Sequence, residues 1–183
     1  MAISWKFIDS EIGSLPIDNI DSGYGITDVS GSETKYPSIE VGTIRKAIDT
    51  GSDGDGIGEF VYLKGVASTV AGDWVVYDEE CVTSRLAAAT TGNVAVAMAA
   101  TVADKWGWYQ ITGNAQAKRE TGSAVDAALY SAGVTGSSDD AAADGRAIEG
   151  AINRVGNATG AQTTATVQLN RPYHDAAGSE TPA

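Results

Sequence analysis

The chain has 183 residues, a formal net charge of −12 and a single cysteine, Cys81. One cysteine excludes an internal disulfide, and the acidic balance argues against a nucleic-acid-binding protein, which needs a basic face. No apolar run is long enough to span a bilayer, and residues 1–13 lack the apolar stretch of a secretion signal. We therefore expect a protein that is made in a cytosol and binds neither nucleic acid nor membrane.

Residues 1–38 hold apolar residues singly or in pairs, separated by Asp, Ser and Gly. This segment follows neither the helix nor the strand period, yet it is too apolar for plain disorder. We predict an extended N-terminal arm that becomes ordered on another surface, so that a chain beginning near Ile39 folds without it. Irregular loops packed on their own domain are the alternative.

A turn-rich loop, residues 49–59, follows the first predicted strand, residues 39–48. The loop contains three aspartates that suggest calcium: Asp49, Asp53 and Asp55. In an EF-hand beginning at Asp49, however, Gly51 would hold the third position and Phe60 the twelfth, where a glutamate is needed. Asp and Gly are also the ordinary residues of wide turns, so we predict no metal here.

Short apolar runs rich in Val, Tyr and Trp fill the middle of the chain. They are too short for helices and predict strands over residues 60–66, 73–78, 93–99, 105–112 and 115–119. Alternation places Trp74 on one face with Val76, and we predict that Trp74 is a core residue. Residues 60–123 carry a net charge of only −1, against −7 for residues 1–59 and −4 for residues 124–183. This near-neutral middle is the predicted core and contact surface.

The predicted strand 93–99 has two unlike faces. Val94, Val96 and Met98 point to one side and Ala95 and Ala97 to the other. The small alanine face allows close approach of a second layer or subunit.

The second half of the chain weakly repeats the first. Tyr130 follows Tyr77 by 53 residues, and Gly145 follows Gly92 by the same interval. The pattern favours two similar β-units, about residues 60–112 and 124–170, with chance similarity among short strands as the alternative. The domain is thus predicted over residues 39–170, ending in a half-buried strand at 164–169. A polar tail, residues 171–183, follows it.

Residue types that carry catalysis are present but do not form a catalytic pattern. His174 lies in the predicted tail and is expected to be exposed, and Cys81 has acidic neighbours that disfavour a thiolate. Residues 78–80 are acidic but adjacent in sequence, unlike the separated carboxylates of a glycosidase. We predict no enzyme and no cofactor.

Three stretches resemble a known family: FVYLKGVASTVAGDWVVYDEE (60–80), GNVAVAMAATVADKWGWYQITGNAQAK (92–118) and LNRPYHD (169–175). Together they are similar to the capsid decoration, or cement, proteins of tailed bacteriophages, over roughly residues 55–173. The first 38 residues match no part of that family.

The resemblance implies a mainly β, barrel-like or tulip-like module, often trimeric, that sits on the capsid exterior after assembly in the host cytoplasm. Its expected partners are the major capsid protein and sister subunits. Seven aromatic and aliphatic residues are the predicted contacts: Trp5, Phe7, Ile8, Ile12, Trp106, Trp108 and Tyr109. An adhesive or carbohydrate-binding virion module, with the Trp106–Tyr109 aromatics as a stacking platform, is the alternative, and burial of these aromatics in the core is the simpler interpretation of them.

Overall fold

The computed structural model describes residues 5–8, 15–51, 56–142, 147–155 and 163–175. Within these residues the chain forms strands and turns and no helix, which confirms the predicted mainly β fold. Nothing in the described ranges forms a helix able to cross a membrane.

The described residues form thirteen strands. In chain order they are β1 (Trp5–Phe7), β2 (Tyr24–Thr27), β3 (Glu33–Tyr36), β4 (Ile44–Asp49), β5 (Ile57–Lys64), β6 (Trp74–Tyr77), β7 (Thr83–Arg85), β8 (Gly92–Ala97), β9 (Trp106–Arg119), β10 (Ala128–Ser131), β11 (Ser138–Asp139), β12 (Ala147–Asn153) and β13 (Thr163–His174). The predicted strands 105–112 and 115–119 are therefore one continuous strand, β9. Gly113 allows this continuity because it adopts φ +84°, a conformation that few other residues tolerate.

Eleven strands form one sheet in the order β1-β4-β5-β9-β11-β10-β12-β13-β8-β6-β7. The long strand β9 is shared, since residues 106–112 pair with β5 and residues 112–119 pair with β13. Strands β9, β13, β12, β10 and β11 pair in turn, and β11 returns to β9 through one parallel bridge. The pairings thus close into a ring, and the barrel-like or tulip-like shape remains a prediction.

The strand order bears on the predicted repeat. Strands β6, β8 and β9 pair antiparallel in that order, and so do β10, β12 and β13. The second set contains two register shifts, and Gly145 lies outside the described residues. Two similar units therefore remain a prediction.

Buried apolar residues form three clusters. The first joins side chains of β6 and β8, among them Trp74, Val94 and Val96, to side chains of β9, β12 and β13, while the second, on the other side of β6 and β8, includes Ala95 and Ala97. This confirms both the core position of Trp74, which is fully buried, and the two-faced character of β8. The alanine side shares its cluster with side chains of β5, β6 and β9, which are strands of the same sheet.

The third cluster corrects the predicted arm. Strand β1 pairs with β4, and Trp5 packs edge-on against Phe60 at 5.1 Å between ring centroids. Phe7 packs against Trp108 at 4.9 Å, and Ile17 is buried in the same cluster. Trp5, Phe7 and Ile17 thus pack on the strands that follow residue 39, as the alternative interpretation has it, whereas residues 24–36 are exposed.

The C-terminal boundary is also displaced from the predicted one. Strand β13 continues to His174, whose ring is fully buried and whose Nδ1 lies 2.6 Å from the carbonyl oxygen of Thr90. The prediction of an exposed tail histidine was therefore wrong. Pairing of β13 with β12 and with the start of β8 extends the sheet past residue 170 and buries this polar residue.

Candidate functional site

Strands β2 and β3 form an exposed hairpin, residues 24–36. They pair antiparallel with each other in a separate two-stranded sheet and, within the described residues, not with the main sheet. All eight strand residues are exposed. A lone two-stranded hairpin is marginally stable in water, so this element depends on its local contacts and on how it is attached.

One face of the exposed hairpin is apolar. Tyr24 and Tyr36 are directly paired and stack at 5.9 Å between ring centroids, and Ile26, on the same face, is 55% exposed. At the tip, Asp28 Oδ1 accepts bonds from the backbone and hydroxyl of Ser30 and so shapes the turn. Val29, between these two residues, is completely exposed. The turn therefore holds an apolar side chain out in solvent.

A buried carboxylate, Asp21, fixes the base of the hairpin. It accepts bonds from the Gly23 amide at 2.7 Å, from the Ser38 amide at 2.7 Å and from the Tyr62 hydroxyl. The backbone of Asp21 also forms a bridge with Trp106 of β9. Asp21 thus joins both ends of the hairpin to the main sheet.

The contacts of Asp21 and Tyr62 explain the directions in which their pKa values shift. Burial acts to raise the pKa of Asp21, but the bonds from Tyr62, Ser38 and Gly23 outweigh it and hold this pKa below its ordinary value. Burial and the neighbouring carboxylate raise the pKa of Tyr62 above its ordinary value. At neutral pH the pair is therefore an ionised carboxylate that accepts from a neutral phenol.

A second exposed apolar surface, the isoleucine patch, consists of Ile44, Ile48 and Ile57. Ile48 and Ile57 are directly paired across β4 and β5, and Ile44 lies two alternations along β4 on the same face. The three side chains are 44%, 43% and 57% exposed. Between them, Glu59 lies 3.7 Å from Lys46 and 2.9 Å from Arg171.

The predicted contact residues divide into three groups. Trp106, Trp108 and Tyr109 are buried within the chain, so the structure assigns them to the core and not to a partner surface or a sugar-stacking platform. Trp5 and Phe7 are half-buried in the third cluster.

The two remaining predicted contacts are Ile8 and Ile12. Ile8 is half exposed, and Ile12 lies outside the described residues. Of the six predicted contacts that the structure describes, Ile8 is thus the one that is exposed.

Several polar groups elsewhere have structural partners. Asp73, fully buried, lies 3.0 Å from Arg85 Nε and 2.7 Å from Lys118 Nζ, which ties β7 and β9 to the start of β6. Burial first, and then Asp78 and Glu80, raise the pKa of Cys81, as its acidic neighbours predicted. Among the described residues no three His, Cys, Asp or Glu side chains gather as a metal site. Asp53 and Asp55 lie outside those residues.

Sequence reasoning missed both exposed surfaces. The stretch Tyr24–Tyr36 carries a signal that could have revealed the hairpin, since two short Tyr- and Thr-containing runs flank the turn sequence DVSGS. Searches of family models, curated proteins and solved structures find no match to this chain.

Proposed function

We propose that this chain is a non-catalytic virion structural protein, a decoration protein on the outside of a tailed-phage capsid. It binds the head shell and stabilises it by bridging subunits of the major capsid protein. The motif resemblance over roughly residues 55–173 supports this proposal. An acidic surface suits the shell exterior, which does not face the packaged DNA.

The observation that carries the proposal is the pair of exposed apolar surfaces on one β body. A bridging protein must present separate contact surfaces at the same time, and apolar side chains grouped on a surface are typical of such contacts. The exposed hairpin and the isoleucine patch meet that need. The carbohydrate-binding alternative loses its support, because the aromatic residues that suggested it are in the core.

Shells assembled without this protein provide the test. The purified full chain is added in increasing amounts, the shells are sedimented, and the temperature of shell disruption is measured with and without the protein. We expect saturable co-sedimentation and a higher disruption temperature. A matched variant, Val125→Asp, changes an exposed residue outside both surfaces and should behave as the unchanged chain does.

A chain that stays in the supernatant at every ratio would contradict the proposal. Binding to glycans without binding to shells would instead favour the adhesive alternative. Co-sedimentation without a rise in the disruption temperature would leave a shell-binding protein that does not act as cement.

A further inference from the structure

We propose that the buried guanidinium of Arg119 binds a small carboxylate anion, such as formate, at the end of β9 where β11 and β13 pair with it. The site is separate from the exposed hairpin and the isoleucine patch. The proposal does not require that the proposed function be correct.

Arg119 is the last residue of β9 and has no exposed surface. Side chains alternate along a strand, so Arg119 points to the same side as Ala115 and Ala117, two members of the first cluster. Burial lowers the pKa of this guanidinium from its ordinary value, while Asp140 acts to raise it. An arginine nevertheless keeps its proton in a protein. The fold therefore holds a positive charge away from water.

Part of the guanidinium is bonded within the chain. Nη1 donates to Oδ1 of Asn153, and Nδ2 of Asn153 donates in turn to the carbonyl oxygen of Ala124. Nε and Nη2 of Arg119 are buried and have no hydrogen-bond partner among the described residues. A buried N–H group without a partner costs free energy, and a charged one costs more. Such a group indicates a bound water or ion.

The positions of Nε and Nη2 select the form of the ligand. The Nε–H and one N–H of Nη2 lie side by side and point the same way. This edge of a guanidinium binds both oxygens of a carboxylate or phosphate group. A water molecule can accept from the same edge, but it leaves the buried positive charge unbalanced. We therefore infer an anion that has two adjacent oxygen atoms.

The neighbouring acids limit the charge of this anion. Asp140, whose charge acts on Arg119, accepts a bond from the Ala124 amide at 2.7 Å, and Asp139 accepts one from the Asp140 amide at 2.8 Å. Both carboxyl groups thus have other donors, and both would repel a second negative charge on the ligand. Complete burial of Arg119 also limits the size of the ligand. A singly charged carboxylate fits these conditions better than phosphate does.

The test adds sodium formate to the full chain in place of sodium chloride, at constant ionic strength, and follows thermal unfolding by circular dichroism. A ligand that binds the folded chain and not the unfolded one raises the melting temperature. We expect a rise of about 3–6 °C when free formate exceeds its Kd tenfold. Because salts also act on proteins without binding at a site, the rise is compared between the unchanged chain and three variants.

Two variants remove the site in different ways, and a third is the control. Arg119→Met removes the charge and every N–H group, so the rise with formate should vanish. Arg119→Lys keeps the charge but loses the paired N–H edge, and the affinity for formate should fall at least about tenfold. Arg171→Met makes the first substitution at an arginine that is 60% exposed and lies eight residues along β13 from Thr163, the strand partner of Arg119. It should respond to formate as the unchanged chain does.

Nuclear magnetic resonance of the unchanged chain gives a measurement that needs no stable variant. The Nε–H of Arg119, assigned through the backbone resonances of residue 119, should exchange slowly with water because it is buried. We expect this resonance to shift with formate and to saturate at the same concentrations as the melting temperature. A resonance that does not move, or a rise in melting temperature that survives in Arg119→Met, would overturn the proposal. Either result would leave shell binding, and so the proposed function, untouched.

Discussion

Two parts of the first 38 residues have similar composition, but one packs in the core and the other is exposed to solvent. Phe7 and Ile17 lie in the third cluster, against the aromatic face of β5 and β9, whereas Tyr24 and Ile26 are more than half exposed on the hairpin. Both parts contain isolated aromatic and aliphatic residues among Asp, Ser and Gly. The difference shows that apolar content alone does not distinguish a core segment from an exposed one. What distinguishes them is whether the fold places an apolar face beneath the segment.

Removing residues 1–21 should have the largest effect in this comparison. The deletion takes the buried Ile17 and the half-buried Trp5 and Phe7 out of the third cluster, and complete burial of one such side chain contributes about 1.5–3 kcal/mol. The sum is a large part of the roughly 5–15 kcal/mol that stabilises a typical domain. Urea unfolding followed by far-UV circular dichroism should show a strongly destabilised or unfolded chain. Replacing residues 24–36 by a short Gly-Ser linker is the control and should leave the main sheet folded. A truncated chain with unchanged stability would return residues 1–21 to the role of a free arm.

Single substitutions in the two parts test the same difference through the free energy of unfolding. Ile17→Ala removes a buried side chain and should lower the free energy of unfolding by about 2–5 kcal/mol. Ile26→Ala removes an exposed one and should change it by no more than about 0.5 kcal/mol. Denaturant titration of the two variants beside the unchanged chain measures both values. Equal losses would mean that the hairpin face is covered within the single chain.

The smallest expected effect concerns the attachment between the two parts and its dependence on pH. Because folding lowers the pKa of Asp21, its ionised form adds stability that is present above the unfolded pKa, near 3.9, and is lost as pH falls through the folded value. Asp21→Asn should cost about 1–3 kcal/mol at neutral pH, since it weakens the bonds from Tyr62 and Ser38. Hydrogen exchange of the hairpin amides, measured for both chains from neutral pH downward, should show a difference that shrinks below about pH 4. A difference that is constant with pH would exclude the carboxylate as its source.

The alternation of apolar residues along the sequence predicted the central strands of this fold well. Alternating Val, Trp and Ala residues placed Trp74 in the core and separated the two faces of β8, because side chains of a strand alternate between its faces. The local sequence pattern did not predict burial where burial depends on the pairing of strands that are distant in sequence. His174 is buried because β13 extends past residue 170 along β12 and β8, a pairing between residues about 25 and 80 positions apart.

The class of this fold and the positions of its central strands can be predicted from the sequence. Both follow from short-range alternation and from Gly, Asp and Ser at the turns. Which apolar residues are core and which are exposed depends on the tertiary packing. Trp106 and Trp108 are buried because β5 and the N-terminal segment contact them. Ile57 is exposed because it lies at the end of β5, beyond Val61 and Leu63 of the same face, which are buried in the second cluster. Burial depends on what packs opposite a residue, and in this chain the opposing residues are distant in sequence.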